Sequence, residues 1–241
     1  MEFDIITIFP HIFDSYLNES ILKRAQKRGL IKIKIHNLRD FAKDKRKKAR
    51  PTGRHWSFGR VDDRPFGGGP GMALKIEPLI KAISSILRIK KETKIIIFTP
   101  SGKQFDNKTA ARLAKNYENL TLICGRYEGI DERIKKVIKD LRLSACGRSA
   151  IGGKIEEISI GSYVLTGGEL PAMVLIDAVS RQIPGVLGKE ESLEEKRFGV
   201  GIPVYTRPEI FVYKNKKYKV PKVLLSGNHK KIEEWRKKFV K

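Results

Sequence analysis

The sequence predicts an α/β fold built on a parallel sheet and followed by a small basic segment. Short β-branched runs, such as residues 94–99, alternate with stretches of helical periodicity, such as residues 106–117. This alternation is typical of strand–helix–strand units, whose strands pair in parallel. The chain has 241 residues, of which 40% are hydrophobic, so it can bury a sizeable core. Residues 201–241 depart from the pattern and form a basic module that ends in an amphipathic helix around Trp235.

The N-terminal third supplies the first strands and helices. Residues 3–9 are mostly apolar and predict a buried strand, and residues 12–28 carry apolar side chains at helical spacing. Residues 31–35 alternate strictly between apolar and polar, as a half-exposed strand does. Residues 72–88 again show helical periodicity, which is interrupted near Pro78. The first part of the chain is therefore expected to read strand, helix, strand, loop and helix.

The central part continues the alternation beyond the strand and helix named first. Residues 120–124 predict another buried strand. Residues 125–169 are unusually rich in glycine, and a helix follows with Pro171 near its first turn. This helix is expected to run to about Gln182.

The composition excludes several classes of protein. The longest apolar runs are far too short to span a bilayer, and the acidic residues Glu2 and Asp4 do not suit a secretory signal. The two cysteines, Cys124 and Cys146, exclude a disulfide scaffold and a four-cysteine zinc site. We therefore expect a cytoplasmic enzyme.

Positive charge is the most informative feature of the composition. Lys and Arg number 50 against 27 Asp and Glu, which gives a net charge of +23. A lysine-rich source organism would explain a uniform excess, but here the charge is clustered. Residues 43–60 hold eight basic residues and one acidic residue, and residues 214–241 hold eleven and two. Such blocks predict a polyanionic partner, and nucleic acid is favoured over an anionic membrane because neither block has an amphipathic apolar face.

The glycine cluster at residues 67–71 predicts a loop whose backbone can approach a ligand closely, although structural turns alone remain the alternative. The phosphate-binding P-loop motif is absent from the sequence, and no GxGxxG motif follows a strand. The histidines show no i, i+4 pairing, and no metal site is predicted from them; they are His11, His36, His55 and His229.

Five motifs occur in order along the chain. They are VDDRPFGGGPGM (61–72), LICGRYEGIDERI (122–134), EEISIGSYVLTGGELPAMVLIDAVSRQIPGVLG (156–188), YTRPEI (205–210) and VPKVLLSGNH (220–229). Together they resemble the bacterial tRNA (guanine37-N1)-methyltransferase family, usually called TrmD. The resemblance runs from the first strand to Trp235 and Arg236, nearly the full chain.

This resemblance implies a specific architecture. Residues 1–187 would form a catalytic domain of the SPOUT class, which binds S-adenosylmethionine and contains a deep trefoil knot, an exceptional feature among folds. Residues 188–200 would be a flexible linker, and residues 201–241 a shortened, mostly helical domain that binds tRNA. The resemblance also implies a homodimer, for which the apolar helix at residues 169–183 offers a surface.

The resemblance further implies that three loops bind the cofactor: one at a strand end, one in GRYEG and one that runs into Gly-Gly. Backbone groups of the loop at residues 160–165 would recognise adenine, and Glu128 would complement the positive charge of the methionine ammonium or sulfonium. The predicted cofactor residues are Phe98, Thr99, Pro100, Gly125, Glu128, Ile160, Gly161, Ser162, Tyr163, Val164, Leu165, Gly167, Gly168 and Pro171.

The implied reaction needs a base for the N1 proton of guanine and a cation for the charge that builds on O6. The arginine that serves as the family's stabiliser matches Arg181. The family's aspartate base lies in the linker. Its position corresponds to Lys196 when residues are counted forward from the third motif, and to Leu193 when they are counted back from the fourth. Glu194 and Glu195 lie between these registers, and Glu195 is the candidate base. A lysine base would need a strongly lowered pKa next to another cation in a mobile linker.

Three other departures from the family pattern are visible. Ser162 replaces the aspartate of the family's IGDY motif, which affects a side-chain role there but not backbone contacts. Two insertions, near residues 48–59 and 139–154, lengthen loops. The sequence also ends soon after Trp235, where the family usually continues with more helix.

The expected function is methyl transfer from S-adenosylmethionine to N1 of guanine 37 in tRNA, beside the anticodon. The altered linker leaves two alternatives: a tRNA-binding homologue that has lost its base, and a SPOUT enzyme with another RNA target. Whether Mg²⁺ assists also stays open, because no acidic ligand cluster is evident in the sequence.

Overall fold

The computed structural model describes residues 1–42, 59–89, 93–143, 154–188, 193 and 201–239. The chain divides into two compact units, Met1–Val186 and Leu187–Lys241. Most of both expected insertions, and most of the basic block at residues 43–60, lie outside the described residues. Among the helices of the described residues, none combines the length and the hydropathy that a membrane crossing requires.

The first unit is built on a five-stranded parallel sheet, which confirms the α/β prediction. Its strands are β1 (Glu2–Thr7), β2 (Lys32–Asn37), β5 (Lys94–Gln104), β6 (Asn119–Ile123) and β7 (Lys154–Ser159). They lie in the order β2-β1-β6-β5-β7. A separate antiparallel pair joins β3 (Asp62–Asp63) to β4 (Ala73–Leu74).

Helices cover both faces of this sheet. The core on one face includes side chains from α1 (Asp14–Leu17), α2 (Ser20–Lys27), α4 (Asn107–Asn116) and α6 (Glu169–Arg181). The core on the other face includes side chains from α3 (Ile76–Ile89) and α5 (Ile134–Leu143). Successive strand residues serve opposite cores, so Ile5 packs on one face and Ile6 on the other. Burial on both faces explains why residues 95–98 of the inner strand β5 form a continuous apolar run.

The helix expected over residues 12–28 is divided, which corrects that prediction. A 3₁₀ turn at Pro10–Phe13 precedes α1, and α2 begins only at Ser20. The side-chain amide of Asn18 donates to the backbone oxygen of Asp14 at 2.9 Å. A continuing helix would use that same oxygen for the backbone N–H of Asn18, so the side chain competes with helix propagation.

Two further expectations are corrected in the centre of the chain. Helix α3 begins at Ile76 rather than at residue 72, and Pro78 lies in its first turn, where the missing N–H disrupts no hydrogen bond. The glycine-rich segment at residues 125–169 contains α5 and β7, neither of which the sequence analysis predicted. Its glycines flank these elements instead of interrupting them, so glycine content alone concealed them.

The second unit combines a hairpin with short helices. Strands β8 (Ile210–Tyr213) and β9 (Lys216–Lys219) pair antiparallel and precede α7 (Lys222–Leu225) and α8 (His229–Lys237). The expected amphipathic helix around Trp235 is α8, and the indole ring lies 4.8 Å from the ring of Phe239 between centroids. The resemblance implied a mostly helical domain, and the hairpin was not expected.

Candidate active site

A cavity of about 570 Å³ opens where the carboxyl ends of β5, β6 and β7 meet. These three strands are neighbours in the sheet, and ligands of open parallel sheets commonly bind at such an edge. The cavity is lined by every predicted cofactor residue except Ser162; these are Phe98, Thr99, Pro100, Gly125, Glu128, Ile160, Gly161, Tyr163, Val164, Leu165, Gly167, Gly168 and Pro171.

An irregularity in β5 forms the first wall. Both Phe98 and Lys103 pair with Ile158 of β7, so the residues between them leave the ladder. This bulge directs Thr99 and Pro100 into the cavity instead of along the sheet.

The loop after β6 forms the second wall, and β4 holds it in place. The backbone N–H of Glu128 donates to the oxygen of Met72 at 3.0 Å, and the N–H of Leu74 donates to the oxygen of Gly129 at 3.0 Å. Gly71, with φ of +98°, lies so close that a Cβ there would come within 2.6 Å of the Glu128 Oε1 atom. The glycine cluster at residues 67–71 therefore precedes a strand that positions the cavity loop.

A buried ion pair ties the same loop to the start of α6. Nε of Arg126 donates to Oε2 of Glu169 at 2.9 Å, and the hydroxyl of Thr7 donates to Oε1 of Glu169 at 2.9 Å. Glu169 is only 2% exposed, and the Arg126 guanidinium lies 4.7 Å from the ring centroid of Phe9. This network was not predicted from the sequence, although an acidic residue directly after Gly-Gly at a helix start was a usable signal.

The loop from Ile160 to Gly168 forms the third wall. Gly168 faces backbone of the second wall, because a Cβ at this position would lie 2.7 Å from the backbone Cα of Cys124. Its N–H donates to the oxygen of Gly125 at 2.9 Å, which joins the second and third walls. Only a residue without a side chain allows the two loops to lie this close.

Beneath these loops lies the thiol of Cys124, which is 1% exposed. Burial, with a smaller contribution from the Glu169 carboxylate, raises the pKa of this thiol well above its ordinary value, and Arg126 opposes the shift only partly. The thiol therefore stays protonated at neutral pH and does not act as a nucleophile.

A charged cluster that the sequence analysis did not predict forms part of the lining. Lys135 lies between two carboxylates and contacts Glu157 at 2.7 Å and Glu132. Hydrogen bonds to Glu132 and then to Glu157 raise the pKa of Lys135. The charged lining residues are three carboxylates and two cations, and one of the cations, Arg126, is already paired with Glu169. The cavity is thus suited to a ligand that carries positive charge.

The predicted catalytic residues are placed differently. Arg181 ends α6 and is not among the residues that line the cavity. On the same helix, one turn earlier, Asp177 accepts a hydrogen bond from Tyr16; burial, together with the charge and hydrogen bond of Asp177, raises the pKa of Tyr16. The candidate base Glu195 and the alternative position Lys196 lie outside the described residues.

A metal ion finds no evident site in this part of the chain. Among the described residues there is no group of three His, Cys, Asp or Glu side chains that could hold one. The arrangement offers instead backbone N–H and C=O groups, close-packed glycines and carboxylates. Such groups can orient a nucleoside-sized cation and exclude water from it.

Comparison with known proteins identifies the family. The sequence model described as tRNA (Guanine-1)-methyltransferase TrmD matches residues 1–241. A protein of Dictyoglomus turgidum named tRNA (guanine-N(1)-)-methyltransferase is 46% identical over 99% of this chain and 84% of its own length. Proteins of the same name from Carboxydothermus hydrogenoformans and Clostridioides difficile are 47% and 45% identical, over 99% and 98% of this chain and 82% and 91% of their own lengths.

The match covers the strands, the three cavity walls and the second unit. It therefore does not depend on any one motif or on the glycine-rich loops alone. The chain belongs to the tRNA (Guanine-1)-methyltransferase TrmD family.

Proposed function

We propose that this protein transfers a methyl group from S-adenosylmethionine to N1 of guanine 37 in tRNA, beside the anticodon. The observation that carries the proposal is the cavity at the carboxyl ends of β5, β6 and β7. Family membership and the relatives' shared name support the type of reaction and the acceptor base. The methyl donor and the position within the tRNA belong to the proposal itself.

The residues present suit S-adenosylmethionine. A volume of about 570 Å³ is in the usual range for small-molecule sites. The loop at residues 160–165 would offer backbone groups to the adenine ring, and Gly168 lets its end lie close to the loop after β6. Glu128 would complement the positive charge of the methionine end. The bound cofactor would supply a methyl group made electrophilic by its sulfonium centre.

The chain's own residues would manage the proton and the charge. When N1 of guanine is methylated, its proton must leave and negative charge builds on O6. Arg181 would stabilise that charge with its cationic guanidinium group. Glu195 would accept the N1 proton, with Lys196 as the alternative register of the family's base.

We further propose a homodimer. Arg181 does not line the cavity of its own chain, so a second copy is a natural source of the arginine that the cavity needs. Helix α6 also exposes Leu170 (53%) and Val174 (46%), which are four residues apart and share one face. An apolar helix face of this kind is suited to pack against its twin.

The family resemblance completes the proposal. Residues 1–187 would be the knotted catalytic domain, residues 188–200 the linker and residues 201–241 the tRNA-binding domain. The trefoil knot and the cytoplasmic location both stand as parts of this proposal.

Single-turnover methylation tests it. A tRNA transcript with guanine at position 37 should accept one methyl group from S-adenosylmethionine, and the same transcript with adenine there should accept none. Methyl transfer to another position would favour the alternative RNA target. Tight tRNA binding with no transfer would favour the non-catalytic alternative.

A further inference from the structure

The hairpin formed by β8 and β9 presents two different faces. Phe211 pairs with Tyr218, and Tyr213 pairs with Lys216, across the two strands. Because side chains alternate along a strand, these four residues share one face, which we call the aromatic face. The residues of the opposite face are Ile210, Val212, Lys217 and Lys219.

A tight turn sets this arrangement. Lys214 and Asn215 connect the strands with φ of +44° and +60°. Positive φ at both central residues is the type I′ geometry, whose twist matches that of the strands and fixes their register. The aromatic face is therefore a defined surface of the hairpin.

The rings of the aromatic face lie open to solvent. Phe211 is 57% exposed, Tyr213 54% and Tyr218 48%. The rings of Phe211 and Tyr218 are 6.5 Å apart between centroids and are tilted by 39°. Cross-strand contact explains part of their presence, since such pairs stabilise hairpins modestly. About half of the surface of each of these three residues nevertheless stays exposed to solvent.

Lysines accompany the exposed rings. Nζ of Lys216 lies 5.5 Å from the ring centroid of Tyr218, and Nζ of Lys214 lies 5.6 Å from that of Tyr213. The stretch at residues 210–232 contains no Asp or Glu in the sequence. A suitable partner of this face is therefore anionic and also offers flat apolar surface. A nucleic acid strand has both properties, since its phosphates are anionic and its bases are flat.

We propose that the aromatic face of the β8–β9 hairpin is a stacking platform for unpaired bases of the RNA substrate. Bases would stack on Phe211, Tyr213 and Tyr218, while Lys214 and Lys216 contact the adjoining phosphates. The proposal rests on the proposed function in that the natural RNA is tRNA. It adds that single-stranded nucleotides, rather than the duplex stems, occupy this part of the second unit.

Binding measurements with the full chain test the platform. The probes are an oligoadenylate of about 12 nucleotides, an RNA duplex of similar length and a tRNA transcript. The variants Phe211→Leu and Tyr218→Ile keep an apolar cross-strand pair and β propensity but remove the stacking surface. Each should raise the Kd for oligoadenylate about 5- to 150-fold, the usual effect of losing one stacked base.

Controls use the same hairpin. Tyr218→Phe keeps the ring, and Val212→Ala changes the opposite face, so both should leave the Kd for oligoadenylate within about 2-fold of wild type. The Kd for the duplex should change little in every variant, because paired bases cannot stack on the face. Equal losses for duplex and single strand, or a loss with Val212→Ala as large as with Tyr218→Ile, would overturn the platform. The platform would also be overturned if loss of these rings weakened binding to vesicles of anionic lipid more than binding to RNA.

Methylation assays distinguish a failure of this proposal from a failure of the proposed function. A wild-type protein that shows the expected binding pattern but methylates no tRNA would contradict only the proposed function. A protein that methylates guanine 37, with variants that bind oligoadenylate as wild type does, would contradict only the platform.

Discussion

Nε of Arg126, in the loop after β6, donates a 2.9 Å hydrogen bond to Oε2 of Glu169, the first residue of α6. The Glu169 carboxylate is almost fully buried, and its other oxygen accepts from Thr7. One side chain thus joins the carboxyl end of β1, the second cavity wall and the helix that follows the third wall. This ion pair and the backbone hydrogen bonds to β4 together hold the loop that lines the cavity.

Removal of the Glu169 charge should therefore affect both stability and ligand binding. We expect Glu169→Gln to lower the free energy of unfolding by about 3 kcal/mol, since it leaves a largely buried guanidinium without its charge partner. The affinity for S-adenosylmethionine should also fall, because Arg126 no longer fixes the loop. Chemical denaturation and calorimetric titration measure the two effects.

An exposed ion pair provides the control for that variant. Glu19 lies 3.9 Å from Lys23 at the surface, and Glu19→Gln should change stability by less than about 1 kcal/mol. Equal effects of Glu19→Gln and Glu169→Gln would show that the buried pair does not organise the loop.

The contact between Gly168 and Cys124 gives a second prediction. A Cβ at residue 168 would meet the backbone of Cys124 at 2.7 Å, and backbone cannot rotate away as a side chain can. Gly168→Ala should force the second and third walls apart and weaken S-adenosylmethionine binding by about 10-fold or more, with a stability loss of about 1–3 kcal/mol. Gly188→Ala is the matched control, since a Cβ there meets nothing within 4 Å in the part of the chain that the structure describes. Unchanged cofactor affinity in Gly168→Ala would contradict the assignment of this cavity to the cofactor.

These two sites show what sequence patterns can and cannot predict. The parallel sheet was predictable because runs such as residues 94–99 carry their own signal of burial. The Arg126–Glu169 pair was not, because its partners are 43 positions apart and meet only through the strand order of the sheet. The GRYEG and Gly-Gly motifs located the cavity walls only through the family resemblance, since their glycines alone were equally consistent with structural turns. The divided helix at Asn18 was missed because one side-chain hydrogen bond outweighed a helical pattern of apolar residues.

Stability should depend on pH through Glu156. Burial alone would raise the pKa of this carboxyl, but hydrogen bonds from Lys94 and Arg112 outweigh it and lower the pKa below the ordinary value of 4.5. A carboxylate with a lowered pKa stabilises the folded state above its unfolded pKa, and that contribution is lost as the pH falls through the folded pKa. We therefore expect the free energy of unfolding to decrease as the pH is lowered from about 5 towards 3.

The variant Glu156→Gln should flatten this acid dependence and destabilise the protein at neutral pH, because Lys94 is largely buried beside it. Urea denaturation at several pH values measures both effects. Glu118→Gln, at an exposed position of the same unit, should leave the slope unchanged. A slope that is the same in wild type and Glu156→Gln would assign the acid sensitivity to other groups.

RNA binding should weaken steeply with salt, because residues 43–60 and 214–241 both carry dense positive charge. If about six phosphates are contacted, the logarithm of the association constant should fall with the logarithm of salt concentration with a slope near −5. Filter binding of a tRNA transcript between low and physiological salt measures it. A slope close to zero would mean that the charge reflects amino-acid usage and not a binding surface.

The linker at residues 188–200 gives the prediction with the widest consequence. If Glu195 is the base, Glu195→Gln should depress the single-turnover rate by roughly 10²–10⁴, the usual effect of losing a positioned acid–base group. The affinity for S-adenosylmethionine should stay nearly unchanged, since the cofactor cavity is built from other segments. Lys196→Asp should then be neutral or harmful.

The alternative alignment, with Lys196 at the position of the family's base, predicts the opposite result. If Lys196 occupies the position of the family's base, Lys196→Asp should restore or raise methyl transfer, and Glu195→Gln should have little effect. Arg181→Ala is the control and should slow the reaction in either register, because it stabilises charge on O6 and does not take the proton. A wild-type protein that binds tRNA and cofactor but methylates only after Lys196→Asp would contradict the active enzyme and favour the non-catalytic tRNA-binding homologue.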